Sequence, residues 1–378
     1  MTTPKQPRSS LNQANPILIL GGGLMGLAIA HQLARRGQSV SVISRRRSEA
    51  AGFVAAGMLA PHAEGLNGDL LALGQASLEL IPGWVAQIEV DSGLNCGLRA
   101  SGIVVPFRNV VERDRYPTAR FGVALNRQQL EQELPGIGPS WTTALLFQQD
   151  GQIDNRRQLM RALERACVSL GVTFLEGSEV QELKRVKAEE LVRVVMQTAE
   201  GEQQTLNAEQ VVLCCGAWSK SLVPELPIVP VKGQMLSLQG PREALKRIVF
   251  GPGTYMVPRE DGLIVVGATS EPDAGFSEGL TPDGQKKLQD GVSDLIPEAT
   301  GWPPMERWWG FRPFTPDEAP LLGPGPIPGL WLACGHHRNG VLLAAITAQL
   351  TADGLCGCSK SSALLQRFDW QRFTREIP

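Results

Sequence analysis

The first unbroken apolar run is Ile17–Leu20, which suits a strand buried on both faces. Three glycines follow, and residues 27–36 then place apolar side chains at helical spacing up to Gly37, a helix-ending residue. Residues 40–43 form a second apolar run, which completes a strand, glycine turn, helix and strand. Helical patterning returns over 70–90, and residues 98–149 alternate with turn signals that predict strands and excursions. A helix over 156–170 and a strand over 172–175 form another αβ unit around Gly171. A buried strand over 211–214 runs into a small-residue turn and a helix.

From Pro227 to about Thr269 the pattern becomes antiparallel. "PREDG" reads as the turn of a hairpin between strands 255–257 and 263–266. "GLWLACGHHRNGVLLAAITAQL" is again strand, glycine turn and helix. No internal repeat is visible. The expected fold class is α/β, mixed α+β: a Rossmann-like cofactor domain built from discontinuous segments, plus an antiparallel-sheet substrate domain. The expected boundaries are a disordered tail over 1–16, a cofactor domain over 17–90, 150–225 and 305–378, and a substrate domain over 91–149 and 226–304.

Composition narrows the function. The chain has 378 residues, 43% hydrophobic and 20% charged, with a net charge of −2. No global field favours nucleic acid or an anionic membrane, and no apolar run approaches the length of a membrane span. The start has no signal core, so a cytoplasmic location is expected. Seven cysteines in scattered positions argue for reduced thiols rather than a disulfide framework. Cys356 and Cys358 form a CxC with too few neighbouring ligands for a metal site, so no metal is expected.

Gly21, Gly23 and Gly26 fit G-x-G-x-x-G in its βαβ context: the first permits the turn, the second admits a pyrophosphate, and the third lets helix pack on strand. The motif does not separate NAD, NADP and FAD. An acid normally ends the second strand, but here Ser44 is followed by Arg45, Arg46 and Arg47. On this segment alone the arginines favour a ribose 2′-phosphate and therefore NADP, unless they form a solvated basic loop. Two further segments matter. "AAGFVAAGMLAPHAEGL" is rich in small residues and lets a flat group lie against backbone, or packs a loop on a helix. "GHHRNG" precedes a helix whose N-terminus stabilises an anion.

"GGGLMGLAIAHQL", "AAGMLAP", "VVLCCGAWS", "PVKGQML", "YMVPREDGLIVVGAT", "WWGFRPFTPDEAPLLG" and "GHHRNGVLLA" together resemble the D-amino-acid-oxidase-like family of FAD oxidoreductases, and within it the glycine-oxidase branch of thiamine biosynthesis. The resemblance spans nearly the whole chain. It implies a non-covalent FAD whose phosphates and ribose meet Leu24, Met25, Ser44 and Arg45. Ala51, Gly52, Ala56, Gly57 and Met58 would line the path to the flavin, and Val180 would meet adenine through its backbone. His336, His337, Arg338, Asn339, Gly340, Val341 and Leu342 would hold the flavin ring. Ser44 departs from the family's usual acid.

On the substrate side the resemblance implies that Arg312 binds an amino-acid carboxylate, with Tyr255 hydroxyl beside it and Arg338 near substrate and flavin. From the residues alone, Arg312 pairs equally well with Asp317 or Glu318, and Tyr255 reads as a packed aromatic. His62 reads as structural, with no partner at a suitable spacing, and no general base is evident. The implied chemistry is hydride transfer from a small amino acid to flavin N5, then reduction of oxygen to peroxide, with the imine feeding thiazole synthesis. Other expectations are a small amino-acid substrate, molecular oxygen, no nucleic-acid or membrane partner, and a homo-oligomer, a tetramer by resemblance. Alternatives are another small amino-acid or sarcosine oxidase or dehydrogenase, an NADP-dependent dehydrogenase, and a flavoprotein assembly factor that does no catalysis.

Overall fold

The computed structural model describes residues 16–186, 191–358 and 362–374, so the expected tail over 1–16 lies, Pro16 apart, outside the described residues. A six-stranded sheet runs in the order Leu321–Pro324, Leu330–Cys334, Val211–Leu213, Ile17–Leu20, Val40–Ser44 and Thr173–Glu176. Its pairings are parallel except at the Leu321–Pro324 edge. Side chains alternate across it. Ile17 and Ile19 enter a core beneath the helices Leu24–Arg35, Gly68–Ser92, Met160–Ser169 and Gly340–Leu355. Leu18 and Leu20 enter the opposite core, against the antiparallel strands Glu179–Val186, Leu191–Gln197 and Gln203–Ala208. Burial on both faces is why the first strand reads as an unbroken apolar run.

An eight-stranded sheet forms the other half. Its order is Pro304–Phe314, Val229–Gln239, Leu263–Gly267, Thr254–Pro258, Ile248–Gly251, Ile103–Phe107, Thr143–Phe147 and Val123–Leu125. All neighbours are antiparallel except Ile248–Gly251 with Ile103–Phe107. Leu288, Val292 and Leu295 of the Pro282–Leu295 helix cover one face, packing in one core with Val104 and Met256 of the strands. The other face packs Ile103, Val105, Met235, Val257 and Val265 against Ala56, Ala60 and Ala63 of the small-residue segment.

Two local expectations change. The sequence pattern starts the third cofactor segment at residue 305, yet Pro304–Phe314 pairs along its length with Val229–Gln239 and belongs to the antiparallel sheet. It is the edge strand of that sheet, joined to it through a distant segment, so its sequence neighbours mislead about its sheet. The helix expected over 156–170 starts with one wide turn at Asn155–Leu159 and becomes regular over Met160–Ser169. Asn155 there donates to the Gly52 carbonyl and ties the turn to the small-residue segment.

Candidate active site

One cavity runs from the carboxyl ends of the parallel strands to the inner face of the antiparallel sheet. Open α/β sheets bind ligands at such strand ends. Gly21 has φ +105°, and a Cβ there would lie 2.5 Å from the Cys214 carbonyl oxygen. A Cβ on Gly26 would lie 1.9 Å from the Gly21 oxygen, so this glycine packs helix on strand and does not line the cavity. Gly23, Leu24 and Met25 do line it. The Leu24–Arg35 helix opens with no side-chain cap and no acid in its first turn, leaving its amides and positive dipole to the cavity. The Gly340–Leu355 helix, also without a side-chain cap, presents its own start at the other end. Two uncapped helix N-termini facing one long cavity fit a group with a pyrophosphate at one end and a reducible ring at the other.

Ala51, Gly52, Ala56, Gly57, Met58 and Val180 all line the cavity, as do His336, His337, Arg338, Gly340 and Val341. Asn339 and Leu342 do not. Asn339 is buried and its carbonyl accepts from Leu343 N at 2.9 Å, while the Leu342 carbonyl accepts from Ser77 Oγ at 2.5 Å. These two hold the helix rather than touch the cavity. Burial lowers the His336 and His337 imidazoles to about 3, so both are neutral at physiological pH.

The basic triplet does not form a phosphate grip. Arg45 pairs with Glu49 at 2.9 Å and Glu179 at 2.8 Å. Arg46 pairs with Glu49 at 3.1 Å, and Arg47 with Glu164 at 3.0 Å and Glu176 at 2.8 Å. Their charge is balanced within the protein, which removes the sequence argument for NADP. Ser44 is buried and lines the cavity, with Glu49 and Glu179 on the same wall. Carboxylates therefore stand near the strand end although the strand carries none.

Arg312 is different. Asp317 is engaged by Arg372 at 2.7 Å and Glu318 by Arg338 at 2.9 Å, so neither partner weighed from the sequence reaches Arg312. Among the described residues no carboxylate lies within ion-pair distance of it. Its Nη1 donates to the Thr269 carbonyl at 3.1 Å, and it lines the cavity. Tyr255 stands on Thr254–Pro258, three strands along the same sheet, with its hydroxyl 3.7 Å from Met235 Sδ and its ring stacked on Phe250. Burial pushes its phenol up to about 12 while Arg312 pulls it down, so it stays a neutral donor.

Arg338 is tied on both sides: its Nε lies 3.2 Å from Glu64 Oε2 and its Nη2 2.9 Å from Glu318 Oε2. Glu64 is a cavity residue that the sequence reading missed. Its side chain is only 8% exposed, and burial raises its carboxyl to about 7 against the pull of Arg338 and Arg312. The missed signal is an acid inside a small, apolar segment. His62 is structural, as expected, but it has a partner that spacing did not show: its Nδ1 lies 2.6 Å from Asp150 Oδ1. Cys214, Cys215 and Cys334 also line the cavity, with burial pushing each thiol up. All seven cysteines are free, and among the described residues no cluster could hold a metal ion.

A family model described as "FAD dependent oxidoreductase" matches residues 16–354. The chain is 40% identical over 371 residues to the "Bifunctional protein ThiO/ThiG" of Synechocystis sp., covering 96% of this chain and 55% of that protein. It thus spans about half the length of those bifunctional relatives. It is 30% identical to the "Glycine oxidase" of Pseudomonas aeruginosa, covering 90% of this chain and 94% of that protein. The crystal structure of glycine oxidase from Geobacillus kaustophilus superposes with a TM-score of 0.86 at 29% identity, over 97% of this chain and all of that one (100%). With the dinucleotide turn and the two-sheet fold already in hand, these similarities place the chain in the family of FAD dependent oxidoreductases, with FAD as its cofactor.

Proposed function

We propose that this chain oxidises glycine, or a similarly small amino acid, by hydride transfer, releasing an imine and consuming molecular oxygen. The observation that carries the reading is Arg312, a cation without a carboxylate partner among the described residues, beside the Tyr255 hydroxyl in the cavity that begins at the glycine turn. A partly buried cation in such a cavity favours an anionic ligand, and an amino-acid carboxylate matches the guanidinium fork. Relatives that carry the name glycine oxidase support the choice of substrate.

Leu24, Met25, Ser44 and Arg45 would hold the phosphates and ribose of FAD. Ala51, Gly52, Ala56, Gly57 and Met58 would flank the path, and His336, His337, Arg338, Gly340 and Val341 the ring. When bound, FAD supplies the hydride acceptor and the route of electrons to oxygen, giving peroxide. The chain's own task is orientation. Arg312 and Tyr255 fix the carboxylate, which sets the direction of the α-C–H bond, and such positioning lowers barriers by several kcal/mol. Neutral His336 and His337 add no competing cation. No helix of the described residues is long and apolar enough to cross a membrane. The proposal extends to a cytoplasmic enzyme and a tetramer, and to an imine that enters thiazole assembly in thiamine biosynthesis, as the resemblance implies.

The test is a flavin spectrum of the purified protein, then anaerobic glycine and, in air, peroxide release with a panel of glycine, sarcosine and D-alanine. Bleaching by glycine supports the reading. A flavin that none of these amines reduces overturns it and restores the assembly-factor alternative.

A further inference from the structure

Glu64 has a construction that carboxylate binding by Arg312 and Tyr255 does not explain. It sits in the turn after the short strand Met58–Leu59, where its backbone N–H donates to Ala60 O at 3.0 Å. The turn is fixed from below by one buried carboxylate. Asp150 Oδ2 accepts from Ala63 N at 2.7 Å and from His62 N at 3.2 Å, while its Oδ1 meets His62 Nδ1 at 2.6 Å. From above, Tyr116 hydroxyl donates to Ala63 O at 2.5 Å and Thr118 hydroxyl to His62 O at 2.6 Å. The next residue, Gly65, turns the chain away with φ +67°. The result is a rigid mount for one side chain. That side chain enters the cavity, and its buried Oε2 makes no hydrogen bond, having only the ion-pair approach of Arg338 Nε at 3.2 Å.

A zwitterionic amino acid brings two charges into such a cavity. Arg312 answers the carboxylate. The ammonium has no acceptor in the machinery described so far, and in that form its nitrogen has no lone pair to drive loss of hydride. We propose that Glu64 is the catalytic base for the substrate amine: Oε2 takes one proton from the ammonium, an N–H bond breaks, an O–H bond forms, and the neutral amine is left in place for oxidation.

The charged and titratable groups facing Glu64 are Arg338 and Arg312, which hold it ionised, and Asp150 and Glu318, which oppose ionisation. Tyr116 and Tyr255 lie close enough to feel its charge and are neutral phenols. Burial offsets the arginines and leaves the carboxyl near 7, where it is both ionised often enough to accept a proton and basic enough to hold one. The fixed mount keeps that balance from relaxing toward solvent.

The inference rests on the proposed amino-acid oxidation, and the experiment separates the two. Holoenzyme and Glu64→Gln are mixed anaerobically with glycine from pH 6 to 10, and the rate of flavin bleaching is followed. Binding of glycolate, which has the carboxylate without the amine, is followed by the flavin's spectral change. The wild type should show a low-pH limb near Glu64's ionisation. Glu64→Gln should lose on the order of 10²-fold near pH 7, recover at high pH where free glycine is already the neutral amine, and bind glycolate as well as the wild type or better. Glu64→Asp, which keeps a withdrawn carboxylate, should retain a limb at a shifted pH and serves if the glutamine variant does not fold. A Glu64→Gln profile parallel to the wild type at every pH, or an unshifted limb in Glu64→Asp, overturns the base. A wild-type flavin untouched by glycine overturns the underlying function instead.

Discussion

The Arg312 guanidinium lies directly over Gly233: a Cβ at that position would be 2.3 Å from Nη1 and 2.7 Å from Cζ. The two residues sit on neighbouring antiparallel strands, with Arg312 opposite Val231 and Gly233 opposite Gly310. A glycine here is the space in which the arginine lies. Gly233→Ala should therefore displace Arg312 and lower kcat/KM for glycine by at least tenfold while the protein keeps its flavin. Steady-state kinetics beside a flavin absorbance ratio checks this; unchanged kinetics would show that Arg312 does not need that position.

Arg312→Ala should cost about 1.5–3 kcal/mol in kcat/KM, the scale for hydrogen bonds to a charged group at a partly buried site. Arg312→Lys should recover only part of it, because an ammonium lacks the planar fork. Tyr255→Phe should cost less, about 0.5–1.5 kcal/mol, as for one hydrogen bond. KM and kcat for the three variants test the ranking.

The raised carboxyl of Glu64 has a consequence for stability. Its value rises from 4.5 in the unfolded chain to about 7 in the folded one. A carboxyl raised by folding favours the folded state fully below the unfolded value, and that advantage is lost as pH rises through 7. The shift corresponds to roughly 3 kcal/mol at pH 8 or above. Glu64→Gln, which has no charge to bury, should then melt higher than the wild type at pH 8, with the difference shrinking towards pH 5. Thermal melts of the flavin-free proteins at both values check the sign, and equal melting temperatures at pH 8 would contradict it.

Because Arg45, Arg46 and Arg47 are each held by glutamates, none of the three stands free for a second phosphate on the ribose proposed there. ADP should compete with FAD during reconstitution, and adenosine 2′,5′-bisphosphate should compete no better. Recovery of flavin absorbance against each competitor measures it.

Much of this fold is legible in the sequence because the parallel strands are buried on both faces. Ile17–Leu20 and the 211–214 run carry that burial as plain apolar runs, and the glycine turn marks where they open. The Pro304–Phe314 strand is not legible in the same way: its partner is Val229–Gln239, more than sixty residues earlier, and no local pattern records that pairing. The same holds for charge. The triplet at 45–47 reads as free cations until Glu164, Glu176 and Glu179 arrive from other segments. Tyr255 and Arg312 follow from resemblance, but Glu64 looks like one more loop acid until Asp150, Tyr116 and the cavity wall surround it.

The central claim is tested most directly by adding glycine to the oxygen-free, flavin-loaded protein and recording the visible spectrum. The account predicts loss of the oxidised flavin band with wild-type protein and little loss over the same interval with Arg312→Ala. Persistence of the band in both, with the wild type folded and fully loaded, would contradict it.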